Sequence, residues 1–339
     1  MRILFVAPLY DYGVRTRGYG FEYYNFFESL VAMGHDVSYF DVHAHAAGDA
    51  ATSALVKTAI DTRPDLLFAC LFRDELDPAG VRQISESGAT VTFNWFCDDH
   101  WRFDSFSAAW APSFNFVSTT AESALPKYRA AGIPHVLKTQ WGAATHRYRP
   151  THRPLTYDVT FVGQKYGTRG KVIESVRAAG ISIETWGTGW NIPHWQLRMA
   201  SLPGASQLGG ARYLRNREGR SRISQDRMIA TFEQSRVSLN LTESSQGNEQ
   251  QIKGRTFEVP ACGGLLLTGA AAGLDEYYEA GKEVVVYDDA SEVPQLCRRL
   301  LDNPDLRDQI AAAGFRRTIA EHTYAQRFSA LFKQMGLSA

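Results

Sequence analysis

The chain has 339 residues, enough for two domains of ordinary size. Its 44% hydrophobic and 21% charged content describes a packed protein and excludes a disordered one. Lys plus Arg equals Asp plus Glu at 36 each, so broad non-specific attraction to nucleic acid or to an anionic membrane is not expected.

The first half repeats a short apolar run followed by an amphipathic segment. Strands are expected at Ile3 to Ala7, Asp36 to Asp41, Leu66 to Cys70, Thr90 to Trp95, Asn115 to Ser118 and His135 to Lys138. Helices are expected at Tyr19 to Met33, Pro78 to Glu86 and Ala121 to Ala131. His146 to Pro154 is polar and basic, carries two prolines, and reads as a linker. The alternation then restarts. Strands are expected at Asp158 to Val162, Ser182 to Trp186, Val237 to Leu241, from Leu265, and at Glu283 to Tyr287. Helices are expected at Arg169 to Ala179, Ser224 to Gln234 and Arg255 to Ala261, with a helical tail. This order predicts two doubly wound α/β domains with a cleft between them, and ligands at the carboxyl ends of the strands. The expected boundaries are 1–150, 151–322, and a C-terminal helix at 323–339 that packs back on the N-terminal domain. One segment breaks the pattern. Asn191 to Arg222 is arginine-rich and carries Pro193, Pro203 and the Gly209-Gly210 pair. A mobile lid or acceptor-facing arm and a solvated insertion are equal readings of it.

No run approaches about 18 apolar residues, so no transmembrane helix is expected. Ile3 to Pro8 is too short for a signal peptide. Cys70, Cys97, Cys262 and Cys297 lack CxxC spacing, which suits free thiols in a reducing, cytoplasmic compartment.

Several strand ends carry chemistry. After the first strand, Pro8 to Gly20 reads PLYDYGVRTRGYG. Its glycines do not form G-x-G-x-x-G, which disfavours a dinucleotide site. Tyr10, Arg15, Arg17 and Tyr19 are candidate acceptor contacts; a plain strand-to-helix loop is the alternative. In NWFCDDHWRFD, Asn94 to Asp104, Asp98, Asp99 or His100 can serve as a general base. A capped, aromatic-packed loop is the alternative, and too few further ligands are evident for a metal site. In DVTFVGQKYGTR, backbone amides around Gly163 and Gln164 can meet a phosphate, with charge from Lys165 or Arg169. In WGTGW, Trp186 to Trp190, glycines such as Gly187 permit close backbone approach and an aromatic such as Trp186 can stack a nucleobase.

The most informative stretch is KGRTFEVPACGG, Lys253 to Gly264. Lys253 and Arg255 can pair with a diphosphate. Glu258, one turn on, can accept hydrogen bonds from a ribose diol. Gly263 and Gly264 can admit a ligand close to the backbone. The plainer alternative is an amphipathic helix, a turn and a buried strand.

NWFCDDHWRFD, TFVGQKYGTR, IKGRTFEVPACGGLLLT and EHTYAQRF resemble the CgeB-like glycosyltransferases, a group named after a bacterial spore maturation protein. The likeness covers about residues 90 to 330. It implies a GT-B fold, a family 1/4-like C-terminal domain, a nucleotide-sugar donor, and no metal or other cofactor. It places Glu258 on the donor ribose. Many retaining GT-B enzymes carry a second Glu eight residues earlier. This chain has Gln250 there, beside Glu249, so the resemblance does not carry over a stereochemical outcome.

The reading is a hexosyltransferase-type enzyme. It moves a sugar from a nucleoside-diphosphate sugar to a hydroxyl of a small-molecule, glycan or cell-surface acceptor, without a metal. A sugar-nucleotide epimerase or hydrolase on the same fold, and a non-catalytic sugar-nucleotide-binding protein, are the alternatives.

Overall fold

The computed structural model describes residues 1–191, 222–246 and 249–337, together with positions 196, 199, 202 and 210. Most of the Asn191 to Arg222 segment, with its expected arm, lies outside the described residues. The chain divides into two compact units, Met1–His146 with Glu321–Ala339, and Arg147–Ala320. Among the described residues, no helix is long and apolar enough to cross a membrane.

The first unit is built on a six-stranded parallel sheet. Its strands are β1 (Arg2–Ala7), β2 (Asp36–Asp41), β3 (Leu66–Ala69), β4 (Val91–Phe96), β5 (Phe116–Thr119) and β6 (Val136–Lys138), in the order β2-β1-β3-β4-β5-β6. The central strands read as apolar runs because parallel strands are covered on both faces, and Ile3 to Ala7 and Leu66 to Ala69 are all buried. The helix Asp49–Thr62 was not foreseen. Its alanine-rich sequence gives a weak apolar stripe, yet Ala51, Leu55 and Ala59 recur every four residues and face the core. It packs against the helix Pro78–Glu86 so closely that a Cβ on Gly80 would lie 2.1 Å from Thr52 Cγ2. The chain returns to this unit through the helix Tyr324–Gln334. A Thr323/Gln326 capping box starts it, and Phe328 packs 5.7 Å from Phe26 and 5.4 Å from Phe68.

The second unit holds β7 (Tyr157–Val162), β8 (Ile183–Trp186), β9 (Ser235–Asn240), β10 (Leu266–Gly269) and β11 (Val285–Tyr287), all parallel, in the order β11-β10-β9-β7-β8. One face is apolar. Val159, Phe161, Val237, Leu239 and Leu267 pack there with Val172, Ile173 and Val176 of the helix Arg169–Ala178 and with Val293, Cys297 and Leu300 of the helix Val293–Asp302. Buried polar side chains on other strand positions pair with one another. Thr160 Oγ1 lies 2.8 Å from Ser235 Oγ, and Asn240 Nδ2 donates to Thr268 Oγ1 at 3.0 Å.

Each sheet reverses its strand order once. The reversal falls between β1 and β3 in the first unit, and between β7 and β9 in the second. Crevices outside the carboxyl ends of such strands are where doubly wound folds hold ligands.

Candidate functional site

In the second unit, the loops after β7 and β9 meet at the reversal point, and Arg169 ties them together. Its side chain is 4% exposed. Nη1 donates to the Gln164 carbonyl at 3.0 Å, and Nη2 donates to the carbonyls of Leu241 and Glu243 at 3.1 Å each. The guanidinium lies 3.7 Å from the centre of the Tyr166 ring, whose hydroxyl donates to the Glu243 carbonyl at 2.9 Å. Burial, reinforced by the nearby charge of Arg255, brings the Arg169 pKa down to about 10. Arg169 therefore holds two loops in place rather than presenting a charge outward, which corrects the expectation that it touches the donor.

Part of the expected phosphate cradle is occupied from within, whereas no backbone acceptor takes the Gln164 amide among the described residues. The Gly163 amide donates to the Trp186 carbonyl and the Lys165 amide to the Thr188 carbonyl, both at 2.8 Å. The Glu243 carboxylate accepts from the Thr168 amide at 3.1 Å and from its hydroxyl at 3.1 Å, capping the helix Arg169–Ala178. A Cβ on Gly187, whose φ is +129°, would lie 2.2 Å from the Gly163 carbonyl oxygen. The glycines here let two loops of the protein approach each other, not a ligand. Trp186 lies edge-on to Tyr157 at 5.4 Å, so its ring leans back along the sheet. Trp190 is the aromatic at this strand end. Its Nε1 donates to the Gly163 carbonyl at 2.7 Å, and Lys165 Nζ sits 5.3 Å from its ring. The sequence marks it as the second tryptophan of WGTGW.

Lys253 and Arg255 follow β9 at its carboxyl end and lead into the helix Arg255–Ala261. Arg255 is half-buried, and its charge bears on Arg169, Tyr166 and Glu258. Its buried Nε–H, like that of Arg169, finds no acceptor among the described residues. A buried cationic donor without a partner is costly, and an anion supplies what it lacks. A cavity of about 130 Å³ opens beside these loops, lined by Thr168, Glu243, Gln250, Gly269, Tyr287 and Asp288 among others. Gln250 is exposed beside it, and its Oε1 accepts from Thr242 Oγ1 at 2.7 Å.

Two other expectations for this motif are corrected. Gly263 and Gly264 lie just before β10, at the amino end of the sheet, opposite the ligand side. Gly263 has φ +75° and ends the helix, and a Cβ on Gly264 would meet the Phe232 carbonyl oxygen at 2.7 Å. Glu258 is 3% exposed, and its Oε1 accepts from the Tyr148 hydroxyl at 3.1 Å. Tyr148 in turn accepts from Gln225 Nε2. Burial raises the Glu258 pKa, while Arg255 and Tyr148 oppose the rise. In this arrangement the carboxylate faces a linker residue and supports Arg255 from inside.

In the first unit, the expected acidic loop is helical. The chain leaves β4 at Phe96 and coils from Asp99 to Trp110 through a π turn at Phe103–Ser107. Asp99 is 1% exposed. It accepts from Ser107 Oγ at 2.5 Å and from the Tyr128 hydroxyl at 2.8 Å, with Thr119 as a further donor. With its oxygens engaged and its proton affinity raised by burial, Asp99 is a packing hub, which corrects its assignment as a base. Asp98 and His100 are half-buried at the carboxyl end of β4. Tyr10 and Tyr19 bridge the base of the loop after β1, their rings 5.7 Å apart and nearly parallel, and Tyr19 stacks on Tyr23 at 4.2 Å. Arg17 lies over the exposed Tyr12 ring at 5.6 Å.

Residues 169–333 match the family model described as glycosyl transferase-like. No curated protein sequence matches the chain. Among solved structures, the chain is similar to HepE of Anabaena in complex with UDP and glucose, at 13% identity over 99% of both chains with a TM-score of 0.63. It is similar to sucrose-phosphate synthase of Thermosynechococcus elongatus, at 14% identity over 99% of both chains with a TM-score of 0.64. It is also similar to a putative UDP-N-acetylglucosamine 2-epimerase of Listeria monocytogenes, at 11% identity over 97% of this chain and 93% of that one, with a TM-score of 0.54. These likenesses show the GT-B fold.

Proposed function

We propose that the chain transfers a sugar from a nucleoside-diphosphate sugar to a hydroxyl acceptor, with the diphosphate held by Arg255 and Lys253 and without a metal. The chain is a glycosyltransferase: its family match and its two Rossmann-like units support the enzyme class, and the motif residues carry the chemistry. The observation that carries the donor reading is the buried Arg255 Nε–H with no acceptor among the described residues, at the strand-order reversal of the second unit. As the glycosidic bond breaks, negative charge grows on the leaving diphosphate, and fixed cations stabilise it most where water is excluded. The Glu258 carboxylate supplies the opposite charge that faces Arg255 from inside the unit. Trp190 is the aromatic offered to the base. HepE is solved with UDP, with UDP and glucose, and with UDP-glucose, so uridine donors are the first to test. The acceptor belongs to the first unit, where Tyr10, Arg17, Tyr19, Asp98 and His100 stand at or beyond the strand ends.

A thermal-shift panel of nucleotides and nucleotide sugars tests this reading, because a ligand of the native state raises the melting temperature by mass action. A shift with nucleoside diphosphates and their sugars, and none with the bare sugars, supports it. Turnover of the donor to an epimer with no acceptor present would favour the epimerase alternative.

A further inference from the structure

We propose that Glu22 takes the proton from the acceptor hydroxyl during transfer. The proposal rests on the glycosyltransferase reading above and names its acceptor-side base.

The placement comes first. The chain leaves β1 at Ala7, loops through Gly20 and enters a helix at Phe21, where a π turn at Tyr23–Phe27 immediately follows Glu22. π turns often mark functional positions. Glu22 is half-buried and folds its carboxylate back toward the strand ends. A Cβ on Gly20 would lie 2.9 Å from Glu22 Oε2, so glycine at 20 leaves room for that fold. Its charge is felt by groups on several strands: Asp11 in the loop after β1, Tyr39 within β2, Cys70 after β3 and Cys97 after β4. Glu22 therefore stands over the β1/β3 reversal, the place where this fold presents ligands.

The company it keeps comes second. Four buried carboxylates among the described residues accept hydrogen bonds from other groups. Asp99 has hydroxyl donors, Glu258 has Tyr148, Glu75 has the Arg73 amide, and Glu233 has Thr151 and Arg153. Glu22 has only its own backbone amide, and no lysine or arginine pairs with it among the described residues. Burial pushes its pKa up to about 7, and the charge of Asp11 pushes in the same direction. A base works best when its pKa lies near the working pH. The charge of neighbouring Asp11 disfavours an anion at this spot, so a neutral hydroxyl, as of a sugar, is the group that fits.

The hydroxyl proton passes to a Glu22 carboxylate oxygen. The acceptor oxygen bonds the anomeric carbon, and the bond from that carbon to the diphosphate oxygen breaks with its electron pair leaving on the diphosphate. Glu22 then returns the proton to water.

The test compares wild type with Glu22→Gln and Glu22→Asp, using a panel of nucleoside-diphosphate hexoses as donors and neutral mono- and disaccharides as acceptors. Donor affinity is measured in parallel by calorimetry. The expected result is a loss of about 10²–10⁴-fold in kcat for Glu22→Gln, with donor Kd unchanged. Glu22→Asp should keep part of the activity. Wild-type kcat should rise with pH through about 7, and that limb should vanish in Glu22→Gln. Wild-type turnover, or a retained limb, in Glu22→Gln overturns the proposal while leaving the donor reading intact. A wild type that binds no donor sinks the underlying reading and this proposal with it.

Discussion

The Tyr148 hydroxyl donates a 3.1 Å hydrogen bond to Glu258 Oε1 across 110 residues of sequence. It joins the basic stretch that precedes β7 to the helix Arg255–Ala261. Both side chains are buried. A buried carboxylate that loses a donor bears the full desolvation cost, so Tyr148→Phe should destabilise the protein by about 1.5–3 kcal/mol. Calorimetric unfolding of the variant checks this. An unchanged melting temperature would mean that Glu258 is satisfied by other groups.

Glu22 gives a pH dependence whose sign follows from its raised pKa. Below its ordinary value of 4.5 it is protonated in both folded and unfolded chains and contributes no difference. Between 4.5 and about 7 the unfolded chain ionises first, so this group lowers stability as the pH rises. Above about 7 the cost is fully present. Glu22→Gln should therefore be more stable than wild type at about pH 8 and nearly equal to it at about pH 4.5. Urea midpoints at the two pH values decide it, and an equal gap at both would contradict the assignment.

Arg169 bonds three carbonyls of two loops through a planar fork that lysine does not reproduce. Arg169→Lys should lower stability by about 1–3 kcal/mol, with weakened nucleotide binding as a consequence of the loosened loops. Thermal unfolding alongside a nucleotide titration measures both. Weakened binding with unchanged stability would mean that Arg169 contacts the ligand directly.

Chelation addresses the metal. With Arg255 and Lys253 on the diphosphate, transfer should survive EDTA. Loss of activity restored by Mg²⁺ or Mn²⁺ would return a carboxylate such as Asp98 to the role of ligand.

The alternation of apolar runs with amphipathic stretches made the architecture legible. Strand positions fell within a residue or two because fully buried parallel strands have few alternatives. The helix Asp49–Thr62 was missed because alanine gives a faint stripe, and the helix from Asp99 was missed because its aromatic and acidic residues resemble a loop. Residue types told less about roles. Arg169, Asp99 and Glu258 look like ligand-facing charges in sequence, yet each is buried against a partner 8 to 110 residues away. Gly263 and Gly264 look ligand-facing in sequence, although a glycine pair before a strand sits at the end of the sheet away from ligands. Glu22 carries no sequence signal because the groups that act on it come from β2, from just after β3 and β4, and from the loop after β1, which are distant in sequence.

The most direct test of the account is a calorimetric titration of wild type and Arg255→Ala with a nucleoside diphosphate and with the matching nucleoside. The variant should lose about ten- to a hundredfold in affinity for the diphosphate, the effect of one charge-assisted hydrogen bond, and little for the nucleoside. Equal diphosphate affinity in the two proteins would contradict the placement of the leaving group at Arg255.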